Sequence, residues 1–483
     1  MQQINILNQS SSIILTLVLS ILFLGLGIAY SRKHQGINNY LVANRSIGTF
    51  SLTASLVSSA LGAWILFGPA SAATWGGIGA VIGYALGTAF PLFILISLGQ
   101  KFRKIYPKGK TLIEVIRIKF GTKLFKLILF LSIFYMTIFL IAEVTAVSIL
   151  INYISGTELW ITALIIILSS LVYTLYGGLR ASIFTDNIQF IVLISLLVIV
   201  FSYLISFNSN EFNLEFIKSN KPSLLSSNYL PNFTAGLTFF IAVAATNLFH
   251  QGNWQRVFAA KSDEVLKKSL LLSFLIVIPI VFFMGISGII AISIDSEINP
   301  DLAFFSILLK DKAEFFSIVI IFLAVSLTIS TVDTLINAIS SIIIVDGKKV
   351  YKKNNQLNSF LFSKIFIIIL AIVSFIIASK GYSILYLFLL ADLFCCAAVF
   401  TVFYGFYQKN FSEKTALISI MLGLFSGLLL FPSADFSQSI LVGILLPFDL
   451  FPQIVSNSLL FWSFLLATTC PVIIILSYDS FKR

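Results

Sequence analysis

Of 483 residues, 58% are hydrophobic and 11% are charged, and the mean hydropathy is +1.01. A water-soluble chain of that length could not hide so much apolar surface, because a single core stops growing near ~250–300 residues. The net charge of +11 would suit a nucleic-acid partner if it formed one patch, but it is dealt out loop by loop, which excludes that reading.

Apolar runs long enough for a bilayer, about 20 residues each, recur along the chain. Thirteen helical spans are read from them: 12–30, 49–71, 77–100, 125–154, 158–176, 184–208, 232–251, 268–294, 313–345, 360–379, 382–407, 414–432 and 455–478. The runs do not alternate apolar with polar residues, so a membrane barrel is not expected. The first span reads as a membrane helix rather than a cleavable leader: no Lys or Arg precedes it, and Arg32 and Lys33 follow it. With the N-terminus outside, the loops place 26 Lys and Arg on the cytoplasmic side, densest from Lys101 to Lys126. Only Lys218, Lys221, Lys310, Lys312 and Lys380 fall on the other. That asymmetry predicts a multi-pass protein with its N-terminus outside and its C-terminus cytoplasmic. The basic stretch reads as a topology signal facing lipid headgroups. Richness in Ile, Phe, Asn and Lys suits an AT-rich bacterial genome, hence the bacterial inner (plasma) membrane.

Span 2 carries Ser58, Ser59, Gly62, Gly68 and Pro69, more polar and helix-breaking residues than a lipid anchor needs. Span 4 contains Glu143, and span 6 opens near Asp186. Span 7 ends in the polar run from Asn247 to Asn253. Two interrupted helices five spans apart fit an inverted repeat, 49–208 and 232–407, with the ion and solute at the breaks. Packing kinks are the alternative. In span 9, Ser330 and Thr331 share a helix face with Leu327, and Asp333 follows them. Two hydroxyls with nearby carbonyls suit a hard cation, or equally helix–helix packing. Asp392 lies in span 11. Carboxylates inside spans cost roughly 2.5–3.5 kcal/mol and usually face a cavity or a partner; for Asp186 solvation at a helix end is the alternative. Cys395, Cys396 and Cys470 lie in apolar helices without metal-ligand spacing. No phosphate-binding loop appears, so transport driven by a gradient is favoured over ATP hydrolysis.

Four motifs, taken together, resemble the sodium:solute symporter family. They are Arg45–Phe50 before the Ala63-Trp64 break; Tyr173–Gln189 with its Gly-Gly and Thr-Asp; Gln255–Lys261; and Ser330-Thr-Val-Asp333 followed by Ser340, Ser341 and Asp346. The resemblance implies an all-α, LeuT-like core of five plus five inverted helices, with an extra N-terminal span (12–30) and two C-terminal spans (414–478), as one polytopic domain. It implies sodium ligated by the carbonyls of Ser58, Leu61 and Leu327 and the hydroxyls of Ser330 and Thr331. Gly62, Ala63 and Trp64 would face the solute, with Asn247 at the second break. Asp186 would sit on the ion release path, assisting release. Proline-transporting members have an aspartate where this chain has Ala60; its loss predicts weaker sodium binding and leaves proton coupling open.

The expected function is sodium-coupled import of a small polar organic solute, urea-like or proline-like, by alternating access. The alternative is a proton-coupled carrier or facilitator of the same fold. Sodium is the co-transported ion; no organic cofactor, nucleic acid or obligatory protein partner is expected beside the lipid bilayer. No nucleophile–base motif points to an enzyme, and no signalling domain points to a sensor.

Overall fold

A computed structural model describes residues 4–482 except 212–213, 227, 311–312, 352–355, 409–410 and 446–451; Lys312, assigned above to the outer side, lies outside the described residues. Among the described residues there is no strand, only two isolated bridges, Ile47 with Ala260 and Pro432 with Ser439. Among the described residues eleven helices are long and apolar enough to cross a membrane. Helices dominate because a backbone in lipid must satisfy its own polar groups.

The elements used below are α1 (Gln9–Ser31), α2 (Thr49–Ala60), α3 (Gly68–Ile105), α4 (Thr122–Ser155) and α5 (Leu159–Glu211). Then come α6 (Leu230–Phe249), α7 (Gln251–Ala259), α8 (Asp263–Ile294), α9 (Ala313–Ile342) and α10 (Gln356–Ala378). The chain closes with α11 (Ile384–Gly405), α12 (Glu413–Leu430) and α13 (Leu459–Lys482). Two of the long helices are each two arms. Gly77 (φ 51°, ψ −148°) divides α3, and Gly178 (φ 61°, ψ −153°) divides α5. Only glycine adopts that backbone readily, and the two breaks fall where the hydropathy reading separates span 2 from 3 and span 5 from 6.

Burial grades the bundle from rim to axis. The most apolar stretch of α10 is 22% buried, whereas that of α9 is 83% buried. Along α9, Ser326, Thr328, Ser330, Asp333, Thr334, Asn337 and Ser340 are all inside. A polar seam therefore runs down the middle of an apolar bundle. Helix α3 packs most extensively on α8 and α6. On α6 it comes backbone to backbone: a Cβ on Gly83 would overlap the Gly236 carbonyl, and one on Gly79 the Asn232 carbonyl. Small residues allow that approach, which dispersion and close packing then reward.

Candidate functional site

The first break is built by sequence and by a neighbour. Helix α2 stops because Leu61 (φ −102°, ψ 93°) and Gly62 (φ −90°, ψ −176°) leave helical geometry. The Leu61 N–H still bonds the Val57 carbonyl at 3.0 Å, and the carbonyls beyond have lost their helical donors. A short turn, Ala63–Leu66, leads into α3, where Pro69 sits in the first turn and needs no acceptor. Glu143 of α4 fills the gap: its Oε2 accepts the Ala63 N–H at 2.7 Å, a carboxylate at a helix start. A Cβ at Gly62 would collide with that carboxylate.

The second break lies at His250 (φ −59°, ψ 110°), between α6 and α7. Its stranded carbonyls are taken by side chains from the next turn. Asn253 Nδ2 donates to the Asn247 carbonyl at 3.0 Å and Trp254 Nε1 to that of Leu248 at 2.8 Å.

Between the breaks lies a fully buried charged node. Asp186 accepts Ser330 Oγ at 2.6 Å, Ser55 Oγ at 2.5 Å and Arg256 Nη2 at 2.9 Å. Arg256 also donates to Ser55, to the Gly252 carbonyl and to Thr334. Neither side chain of the ion pair is exposed. Such a pair is tolerated only when its remaining hydrogen-bonding capacity is filled, and here α2, α7 and α9 fill it. Ser58 Oγ adds a bond to the Asp186 carbonyl at 3.3 Å, and Thr331 Oγ1 donates to the Leu327 carbonyl at 3.1 Å. Carbonyls and hydroxyls of the kind found at the first break and on α9 are hard donors, which suit an alkali cation better than a transition metal. Among the described residues no cluster of three or more His, Cys, Asp or Glu offers a metal site.

Asp333 is used differently. It accepts the Tyr173 hydroxyl and, at 2.8 Å, that of Ser182, so it fastens α9 to α5. Asp392 accepts Thr246 Oγ1 at 2.7 Å.

A cavity of about 50 Å³ lies beside the first break. Trp64, Glu143, Asn247, Thr331 and Asp392, all singled out in the sequence, line it, together with Tyr84 and His250. Gly62 and Ala63 are not on its wall; they abut Glu143 behind it. Toward one end of the bundle a vestibule of about 830 Å³ opens, bounded by Trp75, Asp301, Ser383 and Trp462. Leu385 lines both spaces. Burial holds the Asp301 carboxyl above the usual aspartate range, against the pull of the Ser71 hydroxyl bonded to it at 3.2 Å.

Two sequence assignments change. Asp186 is not solvated at a helix end; it is enclosed, because its partners converge on it from α2, α7 and α9. Arg256, counted with the cytoplasmic charges, is buried and neutralised by Asp186. Its only sequence signal was its place in the Gln255–Lys261 motif. Thr246, Tyr84 and Tyr173 gave no separate signal.

The profile of the Sodium:solute symporter family matches residues 40–423. This chain belongs to the sodium:solute symporter family. The symporter is 26% identical over 416 residues to a spermidine transporter of Candida albicans, an alignment covering 83% of this chain and 77% of that one. It is 28% identical over 192 residues to sodium/glucose cotransporter 1 of Ovis aries, covering 38% of this chain and 28% of that one. The symporter thus spans under a third of the glucose cotransporter's length. Its fold matches that of a Na+-coupled sialic acid symporter in a substrate-bound, outward-open state, with a TM-score of 0.73, 16% identity and 96% coverage of each chain. A nucleobase-cation-symport transporter, closed around bromovinylhydantoin, matches at a TM-score of 0.52 and 14% identity, covering 92% and 96%. The LeuT-like fold expected from the motifs is therefore shown, as is a sodium-coupled transporter class rather than an enzyme.

Proposed function

We propose that this chain imports a small polar organic solute across the plasma membrane, driven by an inward sodium gradient through alternating access. The observation that carries this is the convergence of the interrupted end of α2 with Ser330 of α9 on Asp186. Sodium would be held by the carbonyls of Ser58, Leu61 and Leu327 and the hydroxyls of Ser330 and Thr331. It would favour the conformation in which α2 and α9 are closed on one another, since a ligand shifts only an equilibrium whose states it binds unequally. Asp186 would then offer the departing ion its next oxygen. The solute would lie in the adjoining cavity, against Trp64 and Asn247, reached from the vestibule. The two halves, 49–208 and 232–407, would move as inverted repeats. The basic loops would face the cytoplasm.

In proteoliposomes, uptake should require an inward sodium gradient. The double substitution Ser330→Ala, Thr331→Ala should raise the sodium concentration for half-maximal uptake about a hundredfold or more, from two lost bonds to a charge of roughly 1.5–3 kcal/mol each. Uptake indifferent to sodium would sink the reading.

Proton coupling is the second reading, favoured by Ala60 and by Arg256, a resident cation already beside Asp186. Uptake driven by a pH gradient at zero sodium gradient separates the two.

A further inference from the structure

The chain carries a net charge of +11, yet among the described residues no Lys or Arg lines the central cavity or the vestibule. Their acidic groups are three carboxyls: Glu143 and Asp392 in the cavity, and Asp301 in the vestibule. Glu143 is fully buried, and while Oε2 is satisfied by Ala63, Oε1 has no hydrogen-bond partner. A buried carboxylate oxygen without a donor is costly unless a proton or a cation completes it. The walls beside it are aromatic: Trp64 stacks on Tyr84 at 5.9 Å between centroids, and both rings line the cavity with Phe139 and Phe388. Aromatic faces favour a cation and tolerate methylenes. The cavity, about 50 Å³ in this conformation, has room for an ammonium head.

Building on the symporter reading, we propose that the solute is a protonated aliphatic amine whose ammonium seats between Glu143 and Asp392. Linear di- and polyamines match best. A methylene chain leading past Leu385 carries a second ammonium into the vestibule, where Asp301 is the carboxylate that meets it. Glu143 thereby has two tasks, holding the start of the helix after the break with one oxygen and the solute with the other. A solute that neutralises this carboxylate also couples cavity occupancy to the geometry of the break.

The test uses the full chain in proteoliposomes with an inward sodium gradient, labelled linear diamine and triamine, and unlabelled urea, proline and glucose as competitors. The expected result is amine uptake above empty liposomes that the three competitors leave unchanged. Asp392→Asn should raise the amine KM about tenfold or more, as loss of a charge-assisted bond does, while sodium binding without solute persists. Glu143→Gln should do the same; because it can also weaken the Ala63 cap, Asp392→Asn, whose protein partner is Thr246, is the independent arm. Sodium-driven uptake of urea, proline or glucose that amines fail to inhibit overturns the amine assignment and leaves sodium symport standing. Amine uptake that follows a pH gradient and ignores sodium does the reverse. An amine KM unchanged in both variants overturns the seat.

Discussion

At the scale of single residues, the decisive group is the buried pair of Asp186 and Arg256. Removing one partner leaves the other charged and enclosed, which costs about 3–5 kcal/mol. Asp186→Asn should therefore lower the thermal midpoint of detergent-solubilised protein, and so should Arg256→Met. The double variant should lose less than the sum, with a coupling of roughly 0.5–3 kcal/mol in the cycle; strict additivity would show that the pair does not act as a unit. Half of this node was legible in the sequence. Ser330, Thr331 and Asp186 stood out because a hydroxyl cluster and an acid within apolar runs are expensive and need a reason. Arg256 did not, since an arginine near a helix end serves equally well as a topology signal. Only the fold brings it to Asp186, 70 residues away in sequence. Asp333 shows the converse: conspicuous in sequence, it is bound to Tyr173 and Ser182 as a fastening between helices.

At the scale of elements, the architecture depends on where helices are interrupted. Gly178 has φ 61°, and a Cβ there would run into Tyr40. Gly178→Ala should cost roughly 1–3 kcal/mol of backbone strain and reduce the yield of monodisperse protein. Gly25→Ala in α1, where a Cβ would meet nothing within 4 Å, should be neutral or slightly stabilising. Equal behaviour of the two variants would contradict the assigned role of the break. Hydropathy located the long helices well, because lipid enforces length and apolarity. It separated the arms of α3 and α5 only as gaps between runs, for the left-handed turn is a property of one glycine and carries no hydropathy. The second interruption was visible as a polar run. Its joint at His250, and the short α7 beyond, required the packing of Asn253 and Trp254 against the stranded carbonyls.

At the scale of the whole molecule, sodium should act as a folding ligand. With sodium at a hundred times its dissociation constant, a site present only in the folded state adds about 2.7 kcal/mol. The melting temperature should then rise when potassium chloride is replaced by sodium chloride, and Ser330→Ala with Thr331→Ala should abolish the rise. A rise that survives the double substitution would place the ion elsewhere. The overall plan, a multi-pass helical transporter, was legible from composition and motif order; the solute was not, because cavity chemistry arises from side chains that six separate helices bring together. The glycine contact between α3 and α6 adds a mechanical lesson. Where Gly83 meets Gly236 with no side chain between them, two segments are keyed together and cannot slide without colliding. The contact therefore locks α3 and α6 in one register, while side chains on the cavity wall that hold no backbone group at a break stay free to vary. A chain built this way can be re-tooled for a new cargo by exchanging the groups at positions such as 247 and 392, with its gearing left alone.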